Sequence, residues 1–346
     1  MFRLENIIRK NILDLVPYSS ARDEYSSGDA LYYDANENPY NRPYNRYPDP
    51  HQVVLRKKIS EIKRIPAEHL FLGNGSDEAI DLLIRAFCEP GLNEILIPAP
   101  TYGMYQVCAR INDVKVEQVL LKEDFSLDAK RMLDAVNRNT RIIFLCSPNN
   151  PTGNSFEENQ VLNLLKEFEG LVVIDEAYID FSPEDGFVKH LNEFQNLVVL
   201  QTLSKAWGLA GIRLGMAIAS REIIQILDKI KYPYNVNQLT MDKALESLNR
   251  ESEMKSWVKR ILSQKERLAQ NLNSFSFVQF VYPSDANFLL VKVDDPVGLY
   301  NHLEQNKFIV RNRSDLPLCD GCLRITTGTE IENGKLITRL QAFQKK

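Results

Sequence analysis

Four short apolar runs constrain this chain more than any other feature in it. EILIP (94–98), RIIFLC (141–146), LVVID (171–175) and NLVVL (196–200) each have the length and composition of a buried strand. Between such runs lie stretches with helical spacing, among them EAIDLLIRAF (78–87) and EENQVLNLLKEFE (157–169). Strands alternating with helices predict an α/β fold with a largely parallel sheet flanked by helices. From about residue 241 the pattern changes. One long charged helix is expected through DKALESLNRESEMKSWVKRILSQKERLAQNLNS, then strands at FVQFVYP, NFLLVKV and CLRITTG, with a helix around 296–306. That reads as a smaller α+β domain. At the start, Leu4, Ile7, Ile8, Ile12 and Leu15 fall at helical spacing and predict an amphipathic helix. With 346 residues the chain is too long for one small core. We expect an N-terminal arm over 1–35, resting on the smaller domain or on a partner subunit, a large domain over 36–240, and a small C-terminal domain over 241–346.

Bulk properties exclude several classes of function. The net charge is −4, from 42 basic and 46 acidic residues, which argues against nucleic acid as the main partner. No apolar run approaches the length that spans a bilayer. The first residues carry Glu5 and Asp14 and make a poor signal peptide, so a cytoplasmic protein is expected. Five cysteines without regular spacing fit a reducing compartment. Cys319 and Cys322 form a CxxC, but no second pair or nearby histidine completes a zinc site. The four histidines show no ligand spacing, so neither a metal centre nor a histidine-based triad is expected.

In an open parallel sheet, ligands sit beyond the carboxyl ends of the strands, and four segments there carry chemistry. In FLGNGSDEAIDLLIRAF (71–87), Gly73 and Gly75 permit a tight turn, and Ser76 and Asp77 sit where a helix cap belongs. A helix N-terminus of this kind is an anion site; the plainer reading is a well-capped helix. In RIIFLCSPNNPTG (141–153), the Asn150 amide precedes a Pro-Thr-Gly turn. In LVVIDEAYIDF (171–181), Asp175 ends an apolar run and Tyr178 follows it. A carboxylate there needs a cationic partner or it protonates; a structural ion pair would also serve. The fourth segment is QTLSKAWGLAGIRLGMAIA (201–219). Here Lys205 and Arg213 lie in a small, apolar stretch where burial is expected, and an unpaired buried charge costs roughly 3 kcal/mol or more.

Together these ends supply an anion cradle (Gly75, Ser76, Asp77, Thr202, Ser204), a fixed cation (Arg213), a buried carboxylate, two hydrogen-bond donors (Asn150 and Tyr178) and a lysine. That inventory matches pyridoxal 5'-phosphate. Its phosphate takes the cradle and Arg213, its protonated ring nitrogen pairs with Asp175, and its ring oxygen meets Asn150 and Tyr178. Lys205 bonds to its aldehyde carbon and is then no lone ammonium. Both cations are met by the cofactor.

TLSKAWGLAG with Arg213 at the expected spacing resembles the lysine signature of the class-II pyridoxal-phosphate aminotransferases, and PNNPTG and the DEAY of 175–178 match the same fold-type-I pattern in the same order. VPYSSAR (16–22), YDANENPY (33–40), RYPDP (46–50), GNGSDEAIDLLIRAF (73–87), PTYGMY (100–105) and LRITTGT (323–329) are more narrowly similar to the histidinol-phosphate aminotransferase branch of that family. The resemblance covers nearly the whole chain. It implies that Tyr102 stacks on the cofactor ring and that Tyr47 reaches the cofactor phosphate of the neighbouring subunit in a homodimer. It implies further that Asn36 lines the substrate pocket and that Tyr18 and Arg324 hold the anionic end of the substrate, with Arg311 and Arg313 as helpers. The implied reaction transfers the amine of L-histidinol phosphate to 2-oxoglutarate, with Lys205 as base and Asp175 and Tyr178 beside it. Two other readings share these motifs: aromatic amino acid transamination, and a lyase resembling the threonine-phosphate decarboxylases.

Overall fold

The computed structural model describes residues 2–19 and 31–344. Seven strands form the larger sheet, in the order β1-β7-β6-β5-β4-β2-β3. They are β1 (Leu70–Asn74), β2 (Glu94–Ala99), β3 (Lys115–Leu120), β4 (Thr140–Cys146), β5 (Leu171–Asp175), β6 (Leu197–Thr202) and β7 (Leu214–Ala219). β2 to β6 run parallel; β7 is antiparallel to both β6 and β1. The four runs read as strands from the sequence are thus β2, β4, β5 and β6, side by side at the centre of a mostly parallel sheet.

Alternation explains why these runs are apolar throughout. Ile143, Leu145, Val172, Ile174 and Val199 enter one core, while Ile142, Phe144, Leu171, Val173 and Val198 enter a second core across the sheet. Both faces are covered, so neither set of alternate positions can be polar. The covering helices are α1 (Val53–Lys63), α2 (Ser76–Phe87), α3 (Met104–Ile111), α4 (Ala129–Ala135), α5 (Glu158–Glu167), α6 (Arg221–Ile230) and α7 (Gln238–Leu248). After α8 (Glu251–Leu272) comes a four-stranded antiparallel sheet, ordered β10-β11-β9-β8. Its strands are β8 (Val278–Val281), β9 (Phe288–Val293), β10 (Arg311–Asn312) and β11 (Cys322–Thr326), with α9 (Pro296–Gln305) and α10 (Glu330–Gln344). A third core fills it, built from Leu268 and Leu272 of α8, Leu289 and Val291 of β9, and Leu336 and Leu340 of α10.

Two helices differ from the sequence expectation. The single N-terminal helix is instead two short turns, Leu4–Asn6 and Lys10–Leu13, broken at Arg9. Arg9 donates its N–H to the Ala86 carbonyl at the end of α2, and its guanidinium reaches the Arg85 carbonyl and Glu89. Docking onto α2 overrides the local helical preference. Lys229 of α6 also bonds the Leu13 carbonyl. Within one chain this segment therefore rests on the helices of the larger sheet, not on the smaller sheet. The long charged helix is likewise two, α7 and α8, parted at Asn249 and Arg250, where Arg250 leaves helical geometry at φ −112°, ψ 39°.

Candidate active site

The strand register brings the predicted segments together. Cys146 at the end of β4 pairs with Asp175 at the end of β5, and Asp175 pairs with Leu200 on β6. Above these ends opens a cleft of about 580 Å³, the size of a cofactor site. One wall is the start of α2, another the loop from β6 to β7, and β10 and β11 of the smaller sheet close the far side.

The α2 wall is an anion cradle, with one correction to its cap. Gly75, not Ser76 or Asp77, is the N-cap residue, at φ +76° and ψ 166°, and no side chain caps the helix. The first-turn N–H groups of α2 are left for a ligand. Arg213 crosses above them. Its carbonyl accepts from the Gly75 N–H at 2.7 Å, and its guanidinium lies 3.3 Å from Asp77 Oδ2. A Cβ at Gly75 would stand 2.6 Å from Arg213 Nη2. Close packing continues below, where a Cβ on Gly215 of β7 would meet the Ser76 nitrogen at 2.1 Å. Gly75→Ala is therefore expected to lower the melting temperature, by a backbone cost of about 1–3 kcal/mol. It should also weaken pyridoxal phosphate binding at least ~10-fold by displacing Arg213. Calorimetry and a cofactor titration measure the two effects. Thr202 and Ser204 finish the cradle: Thr202 Oγ1 accepts from the Ser204 N–H at 3.1 Å and lies 3.0 Å from Ser204 Oγ.

At the floor lies Asp175, only 2% exposed. Its Oδ2 accepts from the Tyr105 hydroxyl at 2.8 Å and its Oδ1 from the Ala177 N–H at 3.1 Å. Burial pushes its carboxyl up to about 6, although both hydrogen bonds and Lys205 pull the other way. Tyr102 stands above, its ring edge-on to Tyr105 and its hydroxyl donating to Asp77 at 3.1 Å.

Lys205 and Arg213 are not buried: both are exposed to the cleft. Lys205 nonetheless sits below the ordinary lysine range. Loss of water to the cleft walls is the main cause, and Arg324 adds to it, while Asp175 opposes. Its Nζ is 5.6 Å from the centre of the Tyr178 ring. Tyr178 accepts from Asn150 Nδ2 at 3.4 Å, and Asn150 Oδ1 accepts from Arg324. Arg324 lies on β11 directly opposite Arg311 on β10. Like charges placed so are unfavourable without an anion between them. Arg313 also lines the cleft, and its Nε is buried without a partner. This crowding, after desolvation, holds the Arg324 and Arg313 guanidiniums below their usual range.

Three predicted residues lie outside the cleft of the single chain. Tyr18 and Asn36 are exposed, Asn36 in a left-handed turn at φ +54°. Tyr47 is half exposed and its ring stacks on Tyr234 at 4.5 Å. Residues 20–22 of the VPYSSAR motif are outside the described residues. Conversely, Tyr105 bonds Asp175 at the floor of the site although the sequence motifs assign it no role. Tyr102 precedes α3 and Tyr105 lies in its first turn, so helical spacing gave no signal; only the fold brings the two rings edge to face. The cysteines are free and buried; burial raises Cys319 to about 12 and Cys322 to about 11, values of inert thiols.

The residues present fit pyridoxal phosphate. A Gly-lined cradle with a guanidinium suits a phosphate dianion, a buried carboxylate suits a protonated ring nitrogen, and a lysine of lowered basicity lies between them.

Asp175 and its neighbour Glu176 make a pH prediction for the cofactor-free protein. Glu176 is 1% exposed; burial pushes it up to about 7, against bonds from the Phe187 N–H and Gln201. Both groups have folded values raised above their unfolded ones. The folded state then binds more protons, so their stabilisation is complete below about pH 4 and lost as pH rises through 6 and 7. Chemical denaturation should show stability falling across that window by a few kcal/mol in total, on the order of 1.4 per pKa unit. Glu176→Gln should flatten the fall, because Gln201 Oε1, buried and unpartnered, can take the new amide.

The sequence matches the family described as aminotransferase class I and II over residues 33–340. It is 55% identical over 338 residues to a histidinol-phosphate aminotransferase of Parabacteroides distasonis, covering 98% of each chain. A histidinol-phosphate aminotransferase of Bacteroides fragilis is 52% identical over 345 residues, covering 99% of this chain and 100% of the relative. Among solved structures, the histidinol-phosphate aminotransferase from Clostridium acetobutylicum superposes with a TM-score of 0.80 at 25% identity, covering 87% of this chain and 91% of that one. The chain belongs to the class I and II aminotransferases.

Proposed function

We propose that this protein transfers the amino group of L-histidinol phosphate to 2-oxoglutarate, giving imidazole acetol phosphate and glutamate in histidine biosynthesis. The observation that carries this reading is full-length identity of 52–55% to enzymes of that name. The paired arginines Arg311 and Arg324, facing one cleft, support an anionic substrate. A planar guanidinium accepts phosphate or carboxylate equally, so one site can serve both substrates in turn.

When bound, pyridoxal phosphate supplies an electron sink conjugated to the substrate's Cα. The chain's residues do the rest. Gly75, Ser76, Asp77, Thr202, Ser204 and Arg213 hold the phosphate through backbone N–H groups, hydroxyls and the guanidinium. Tyr102 covers the ring, Asn150 and Tyr178 bond its oxygen, and Asp175 keeps its nitrogen protonated. Lys205 Nζ takes the proton from Cα, and its lowered basicity leaves more of it neutral near pH 7. Arg324 and Arg311 orient the anionic end of the substrate; Tyr18 and Asn36, outside the cleft of the single chain, would complete that pocket only in the assembled dimer.

The same reading makes the protein a cytoplasmic homodimer. Residues 36–240 form the cofactor-binding part, 241–346 the smaller part, and 1–35 an arm. No helix among the described residues is long and apolar enough to cross a membrane. Tyr47, outside its own chain's cleft, would bond the cofactor phosphate of the second subunit. Tyr47→Phe is then expected to weaken cofactor retention about 10-fold or more, the loss of one hydrogen bond to a charged group. Dialysis followed by absorbance measures it, and unchanged retention would remove the contact. The function itself is tested by growth. The gene should restore a bacterium lacking histidinol-phosphate transamination on medium without histidine; well-expressed protein that fails to do so contradicts the reading.

A further inference from the structure

Tyr105 has no exposed surface, and it sits where a phenylalanine would fill nearly the same space. Its ring stacks on Phe144 of β4 at 4.9 Å and 13°, and meets the edge of Tyr102 at 5.5 Å and 85°. Those contacts account for the ring but not for the hydroxyl. A buried phenol needs a partner, and this one donates to Asp175 Oδ2 at 2.8 Å. The Ala177 N–H occupies the other carboxylate oxygen at 3.1 Å. Ala177 is held by the chain turn that follows β5; Tyr105 comes from a different element, α3.

We propose that Tyr105 is a positioning residue of this active site: its hydroxyl, fixed by Phe144 and Tyr102, sets the orientation and ionised state of Asp175. The inference rests on the reading of Asp175 as the partner of the cofactor's ring nitrogen. Burial alone favours the neutral carboxyl, which could not hold that nitrogen protonated. A donor aimed at the charged form works against burial. It also couples the ring-covering Tyr102 to the floor of the site, because one phenol touches both. The other groups acting on Asp175 are Asp77 of α2, Cys146 of β4, Lys205, Tyr178 and Tyr102. Of these, Cys146 also meets the Tyr105 hydroxyl, and Tyr105→Phe removes that contact together with the bond to Asp175.

The test uses cofactor-free protein labelled with ¹³C at aspartate carboxyls, the Asp175 resonance being the one lost in Asp175→Asn. Tyr105→Phe keeps the stacked ring and is expected to raise the titration midpoint of Asp175 by about one unit or more. In protein saturated with pyridoxal phosphate, kcat should fall about 10-fold with KM for histidinol phosphate within about 2-fold, the mark of a group acting on the reaction rather than on binding. An unmoved midpoint overturns the proposal, as does a moved midpoint with unchanged kcat. Should Tyr105→Phe fail to fold, difluorotyrosine at position 105 replaces it. That stronger donor should lower the midpoint, and no movement again overturns the proposal. Asp175→Ala separates the two levels. A near-normal rate in that variant defeats the reading of Asp175 itself; a crippled Asp175→Ala beside a silent Tyr105→Phe defeats only the role of Tyr105.

Discussion

Lys205→Ala is expected to lose turnover by about 10⁴-fold, the upper end for removal of a general base, while the protein folds as before. The two halves of that expectation come from one observation. Lys205 is exposed to the cleft on the loop after β6, so alanine there leaves no buried cavity. Its ammonium is disfavoured by lost water and by Arg324 and Arg213. Deleting it removes an unfavourable charge, and the melting temperature of the cofactor-free protein should stay level or rise. A structural lysine would behave in the opposite way, lowering stability and leaving rate largely intact. Turnover at saturating substrate and a melting curve on the same preparation decide between them. Activity within about 10-fold of the parent would remove Lys205 from the chemistry.

Asp175→Ala should also separate stability from rate. The carboxylate is 2% exposed and pushed up to about 6, so its ionised form burdens the folded protein above that pH. Without cofactor, the variant should lose the part of the pH-dependent instability that Asp175 contributes. It will also leave the Tyr105 hydroxyl unpaired, a cost of about 1–3 kcal/mol that partly offsets the gain. With cofactor at saturation, the rate of Cα proton removal should fall on the order of 10³-fold, as when a preorganised electrostatic partner of the transition state is deleted. Deuterium exchange at the substrate's Cα measures that step directly. A rate near the parent's would leave Asp175 as a structural group.

The central strands and most of the residues that line the candidate site were legible in the sequence for one reason. A strand covered on both faces reads as a continuous apolar run, and in a parallel sheet the chemistry follows such runs. β4, β5 and β6 announced themselves, and Asn150, Asp175, Tyr178, Lys205 and Arg213 came after them. The strands that escaped notice lack the signal. β3 (KVEQVL) is an edge strand whose residues are all exposed or half-buried. β7 (LGMAIA) is fully buried, but Gly and Ala occupy half of it, Gly215 because a Cβ there would meet the Ser76 backbone. The broken N-terminal helix depended on Arg9 finding the end of α2, a contact 76 residues away. Tyr105 needed the packing of α3 on β4 before its hydroxyl had a purpose. The arginine pair is the mixed case: resemblance proposed Arg311 and Arg324, but only the β10–β11 register set them face to face.

The most direct test of the proposed reaction is a steady-state comparison on purified protein loaded with pyridoxal phosphate. L-Histidinol phosphate, phenylalanine and threonine phosphate are each supplied with 2-oxoglutarate, and glutamate and carbon dioxide are measured. The account predicts glutamate and imidazole acetol phosphate in equal amounts, with kcat/KM for histidinol phosphate at least ~10-fold above that for phenylalanine, which offers the arginines a singly charged carboxylate in place of a phosphate dianion. Equal efficiency on phenylalanine, or carbon dioxide from threonine phosphate without glutamate from histidinol phosphate, would contradict it.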